Sequence, residues 1–166
     1  MRAQADDPLA VLLLSGRLEG LAVEAHARDL LSIPRVVALE PSRVRPGRSL
    51  RDAVSLRQAR RLRFPGRPRL LVLYHPAQYP LARALCACHE DLELWYIPAG
   101  RTALETADQA QARELLALDE LARERATQVL TATEGDVDSA PLRARLRELD
   151  VINPYAFIPG ARPRPR

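Results

Sequence analysis

The 166-residue chain contains no lysine: each of its 25 basic side chains other than histidine is an arginine. With abundant Ala, Leu and Pro, this skew reflects a GC-rich genome rather than selection for guanidinium chemistry. A net charge of +4 therefore says little about a nucleic-acid partner. No apolar run approaches the roughly 20 residues that span a bilayer as a helix, so a transmembrane helix is excluded. The opening Met1–Pro8 carries two Asp and no apolar h-region, so a secretory signal is not expected. The default location is cytoplasmic, with peripheral attachment to a membrane left open. Cysteine is scarce. Cys86 and Cys88 stand two apart in an expected helix, where i and i+2 do not face one another, so they are poorly placed for a disulfide. Cys-x-Cys-His89 has no second ligand cluster to complete a zinc site, and no metal is expected. One buried and one half-exposed thiol are expected instead. No repeat of fixed period occurs.

What is present is ample apolar material, 47% of the chain, which argues against wholesale disorder. Its length suits one domain, residues 1–160, followed by an exposed Arg/Pro tail at 161–166. The apolar residues fall into six runs: Ala10–Leu14, Val36–Leu39, Leu70–Tyr74, Leu92–Ile97, Val129–Ala132 and Ile152–Ile158. Helical patterns fill several of the gaps. Strands buried on both faces read as continuous apolar runs, and parallel neighbours need a crossover. The expected fold is α/β, a Rossmann-like and mainly parallel sheet of about six strands with helices on both faces. Helices are expected after the first strand (core contacts Leu21, Ala25 and Leu30/Leu31) and from Ser49 to about Arg63. Further helices are expected over Leu81–His89, from about Leu104 to Ala126 with an Asp119–Arg123 ion pair, and over Pro141–Leu149.

Charge is unevenly distributed. Ten Arg and one acid, Asp52, lie between Pro41 and Arg69, whereas fourteen acids oppose seven Arg from Ala84 to Asp150. A basic and an acidic face follow. Arg51, Arg57, Arg60, Arg61 and Arg63 would form the basic patch. Their partner could be an anionic membrane surface or the chain's own acidic helix at Glu114–Glu124. Nucleic acid is a possible partner but not the favoured one, because aromatics are not interleaved with the arginines and no RNP motif occurs.

For ligand chemistry, the sheet's carboxyl end is the place to look. Ser15, Gly16, Arg17 and Gly20 follow the first strand, where backbone N–H groups and a helix N-terminus can hold an anion. The loop lacks the third Gly of G-x-G-x-x-G and has no G-K-[ST], so no dinucleotide or other cofactor is called for. A tight turn without ligand explains it equally well. His75 ends the strongest strand and could act as a base or orient a phosphate or hydroxyl. Without G-x-S-x-G or a partner nucleophile, a satisfied surface histidine is the favoured reading. His26 and His89 read as solvated or half-buried helix residues. Tyr74, Trp95 and Tyr96 could stack on a sugar or base, but strand aromatics are more often core.

Four segments carry a family resemblance: Val11-Leu-Leu-Leu-Ser15-Gly16, Val36-Val-Ala-Leu-Glu40-Pro41, Val129-Leu-Thr-Ala-Thr133-Glu134 and Phe157-Ile-Pro159-Gly160. In this order they resemble the N-terminal, acceptor-side half of GT-B glycosyltransferases of bacterial cell-envelope polysaccharide synthesis. The resemblance implies a Rossmann-like acceptor domain with Glu134 at its ligand end. It also implies a partner supplying the donor domain, for which this chain has no counterpart. The carboxylates common after the family's fourth strand are missing from Trp95-Tyr-Ile-Pro98-Ala-Gly100, so sugar transfer by the chain alone is not expected. The reading is thus a degenerate or split glycosyltransferase-like domain binding an anionic or glycosylated partner. The alternatives are a nucleic-acid or anionic-lipid binding module using Pro41–Arg69, and a small α/β enzyme acting on a phosphorylated metabolite through Gly16 and His75.

Overall fold

Leu70–Leu73 has four successive side chains, and all are buried. A strand can bury both sets of alternating side chains only if material covers both faces of its sheet. The computed structural model, which describes residues 8–14, 21–40, 57–60, 67–100, 108–133 and 136–151, meets that requirement. Its elements in chain order are β1 (Ala10–Leu13), α1 (Ala22–Leu31), β2 (Val36–Leu39), β3 (Leu70–Leu73) and a 3-10 turn (Pro76–Gln78). Then come α2 (Tyr79–Cys88), β4 (Glu93–Tyr96), α3 (Gln109–Arg125), β5 (Gln128–Val129), β6 (Ala132–Thr133), β7 (Asp136–Val137) and α4 (Ala140–Val151). Residues 57–60 are also helical.

Five strands form one sheet in the order β2-β1-β3-β4-β5, and every neighbouring pair is parallel. Ala10, Leu12, Leu70, Val72 and Trp95 point to one face. There they pack with Val23, Ala27 and Leu30 of α1 and Leu142, Leu146 and Leu149 of α4. Val11, Leu13, Leu71, Leu73, Leu94 and Tyr96 point to the other face, against Tyr79, Leu81, Ala82 and Leu85 of α2, Ala122 of α3, and Ala59. Both triads, Val23/Ala27/Leu30 and Leu142/Leu146/Leu149, have the i, i+4, i+7 spacing that makes one helical stripe. The fold is therefore α/β and Rossmann-like, with five strands in the sheet rather than six.

Two expectations change. The run Val129–Ala132 is not one strand. Gln128–Val129 pairs with β4 and Leu130 N–H reaches the Tyr96 carbonyl at 2.9 Å, whereas Ala132–Thr133 turns away to pair antiparallel with Asp136–Val137. A short apolar run cannot reveal that its two halves have different partners. The sixth run and the 161–166 tail lie outside the described residues. In α1 the buried stripe is rotated from the expected one. Ala25 is exposed and Leu31 is 36% exposed, because Leu30 and Leu31 lie about 100° apart on a helix and only one can face the sheet.

Local chemistry sets the ends of these elements. Ser32 closes α1, its hydroxyl donating to the Asp29 carbonyl at 2.6 Å. Arg35 then takes φ +68°, a left-handed conformation costly to a residue with Cβ. Its carbonyl is held there by the N–H groups of Leu9 at 2.7 Å and Ala10 at 3.3 Å, so the strained turn delivers the chain into β2 beside β1. Asp108 caps α3, its carboxylate accepting from Ala110 N–H at 2.9 Å and Gln111 N–H at 3.4 Å. Arg123 and Arg125 occupy the last turn of that helix, where the helix dipole favours cations. No helix among the described residues is long and apolar enough to cross a membrane.

Candidate functional site at the carboxyl ends of β1 and β3

The strand order reverses at β1. The chain leaves β1 for α1 on one face and leaves β3 for α2 on the other. In sheets of this order, the carboxyl ends of two adjacent strands whose connections go to opposite faces are where ligands bind, in the crevice between those connections. Leu14 lies on the β1 side and Tyr74, His75 and the 3-10 turn on the β3 side.

His75 is fully buried, which corrects the expectation of a surface residue. Burial follows from its role as cap. Its backbone is extended and Pro76 opens the 3-10 turn, supplying fixed φ where no N–H is needed. The ring Nδ1 accepts from Ala77 N–H at 3.1 Å, and the His75 carbonyl accepts from Gln78 N–H at 3.0 Å. A nitrogen that accepts carries no proton, so the neutral ring is protonated on Nε2. The Gln78 side-chain amide then crosses from the β3 side and donates to the Leu14 carbonyl, tying the end of β1 to the turn after β3.

Next to this tie, Tyr74 turns to the other face and its hydroxyl meets His26 Nδ1 at 3.2 Å. The two rings stand edge to face, centroids 5.9 Å apart. Burial raises the Tyr74 phenol well above its usual range, so it remains a neutral hydroxyl. His26 is buried here rather than solvated. At the end of β4, the Tyr96 hydroxyl donates to Asp119 of α3. Arg123 Nε donates to the same carboxylate at 2.8 Å, and its guanidinium lies 5.9 Å from the Tyr96 ring centre. Burial, then the Asp119 contact, raises the Tyr96 phenol. The Asp119–Arg123 pair matches its sequence expectation.

Tyr74, Trp95 and Tyr96 are all buried, Tyr74 and Trp95 in one core and Tyr96 in the other. They form no common stacking surface, as period-2 alternation along β4 requires. The thiols also differ from expectation: Cys86 is half-buried and Cys88 exposed. Burial pushes the Cys86 thiol up to about 11, which suppresses its reactive thiolate. Among the described residues no group of three or more His, Cys, Asp or Glu is gathered as a metal site.

Of the sequence-derived binding positions, Ser15, Gly16, Arg17, Gly20 and Glu134 lie outside the described residues, as do Arg51, Arg61 and Arg63 of the basic patch. Arg57 and Arg60 are exposed on either side of buried Ala59. Among the described residues neither makes an ion pair. Sequence reasoning missed Gln78 and the His26–Tyr74 pair. The dipeptide His75-Pro76 signals a turn, but nothing local announces that the third residue onward reaches back to β1. Comparison with known protein families, with curated proteins and with solved structures returned no match for this chain.

Proposed function

We propose that this chain is a glycosyltransferase-like, acceptor-side binding domain that receives an anionic or glycosylated ligand in the crevice between β1 and β3. The observation that carries the reading is the reversal of strand order at β1, with the two buried polar side chains His26 and His75 beside that point. The chain builds one sheet-centred unit with no second unit among the described residues. Transfer needs a donor phosphate and an acceptor positioned in one cleft, so a donor-binding domain would have to complete the site. The test is a titration with glucose 1-phosphate, which joins sugar and anion, followed by backbone amide resonances. Shifts are expected at residue 14, residues 21–24 and residues 75–78. Shifts confined to other regions, or none, sink the reading. The 166-residue chain alone is expected to turn over no nucleotide-sugar. Turnover abolished by His75→Ala would make His75 catalytic instead.

A second reading has its own observation. Arg57 and Arg60 are exposed while Ala59 anchors the same turn to the sheet, so this turn could offer cations to an anionic lipid surface from the cytoplasmic side. Sedimentation with phosphatidylserine vesicles tests it. Binding that weakens steeply with salt and is reduced by Arg57→Gln/Arg60→Gln favours peripheral attachment, whereas binding insensitive to both changes ends that idea.

A further inference from the structure

We infer that Gln78 reads a hydroxyl hydrogen on the ligand, so that the crevice selects a sugar or other polyol over a bare anion. The inference rests on the crevice being a binding site and deepens that reading by naming the recognising atom. The orientation of the Gln78 amide is fixed by its neighbour. Its Nε2 must face the Leu14 carbonyl, because turning the amide over would set two oxygens against each other. That leaves Oε1 as a committed acceptor. It is buried, and among the described residues no donor meets it. Buried carbonyl oxygens are nearly always paired, and an unmet one costs stability.

The position of this atom gives the orphan its meaning. Gln78 ends the turn that follows β3, and Leu14 follows β1, the neighbouring strand across which the strand order reverses. The amide therefore spans the crevice itself. A group arriving there must bring a donor. Sulfate brings only acceptors and would face the oxygen with like partial charge, whereas a sugar hydroxyl supplies the missing hydrogen and can accept from a neighbouring donor as well. A site built around a hydrogen-bonding group rejects analogues lacking the matching partner, because its own buried group is then left unpaired.

The experiment uses the whole chain, labelled so that the Gln78 side-chain carbonyl and amide resonances can be followed. Those signals are assigned in the wild-type chain through their scalar connectivity to the Gln78 backbone, and Gln78→Leu removes them. Glucose, N-acetylglucosamine and myo-inositol are titrated to tens of millimolar, and sulfate in parallel. At least one polyol is expected to move the Gln78 carbonyl resonance while sulfate leaves it in place, and Gln78→Leu is expected to weaken that polyol by about tenfold. A Gln78 carbonyl silent to all three polyols, with sulfate moving the amides of residues 21–24, would overturn hydroxyl recognition and leave the crevice standing as an anion site. Silence everywhere overturns both. A free-protein carbonyl shift already typical of a hydrogen-bonded amide, unchanged by any probe, assigns the oxygen to an internal donor and also overturns the inference. If Gln78→Leu fails to fold, the wild-type titration still decides.

Discussion

The two ends of the sheet are held by different chemistry. At the amino ends of the strands, charged side chains reach across the surface: Arg35 pairs with Asp150, Arg143 with Asp29, and Arg145 with both Glu93 and Glu148. Most of their carboxylates are open to water, with Asp150 and Glu148 each 60% exposed. At the carboxyl ends of β1 and β3 the polar contacts are made by side chains that carry no carboxylate or guanidinium: the buried His26–Tyr74 contact, the His75 cap and the half-buried Gln78 tie. Exposed ion pairs contribute little each because water and salt screen them. Buried neutral groups must be paired, so each one constrains its neighbours strongly. One end clamps α4 to its neighbours through replaceable contacts, while the other ties the end of β1 to the turn after β3.

If this contrast is sound, damage at the crevice end should cost far more than damage at the charged end. The largest effect is expected for Tyr74→Ala, about 3–5 kcal/mol by denaturant unfolding, since a fully buried ring leaves a cavity at the junction of β3 and α1. Tyr74→Phe keeps the ring and removes only the contact with His26, for a loss of about 1 kcal/mol. Equal losses in the two variants would mean the hydroxyl, not the packing, holds this corner.

Next in size is His75→Ala, at about 1–3 kcal/mol, because it removes the acceptor for a backbone N–H in a buried turn. A near-neutral result would show that the 3-10 turn caps itself, and would weaken the contrast between the two ends.

The charged end should respond chiefly to pH. Hydrogen bonding to Arg145 holds the Glu93 carboxyl below its ordinary value of 4.5. The sign follows: this group's contribution is fully present above about pH 4.5 and is lost as pH falls through its lower folded-state value. Glu93→Gln should cost about 1 kcal/mol or less at pH 7 and should flatten the loss of stability on acidification below pH 4.5. An acid limb of unchanged steepness, measured as unfolding free energy against pH, would remove Glu93 from that role.

The smallest effect is expected for Arg57→Gln/Arg60→Gln. Both side chains are exposed, so the midpoint of thermal unfolding should not move. A clear drop would mean these arginines serve the fold and would count against a lipid-facing role.

Legibility in the sequence followed the same division. The continuous runs at β1, β3 and β4 were readable because strands covered on both faces need no polar alternation. The helix expected over Pro141–Leu149 was readable from local signals too, and it forms as Ala140–Val151. Less was readable where the outcome depended on a choice among similar local options. Ala25 and Ala27 are chemically alike, and only contact with the sheet selects Ala27. Likewise Val129–Ala132 has strand character throughout, but β4 is long enough in register to take only Gln128–Val129.

The sequence by itself determined the class of fold, because hydrophobic periodicity and turn residues act over a few positions and are written consecutively along the chain. Tertiary structure alone decided the strand order, the burial of His75 and the reach of Gln78 to the Leu14 carbonyl, 64 residues away along the chain. Those depend on which strands become neighbours, and that choice is made by packing two cores at once on opposite faces of one sheet, which no single stretch of residues encodes.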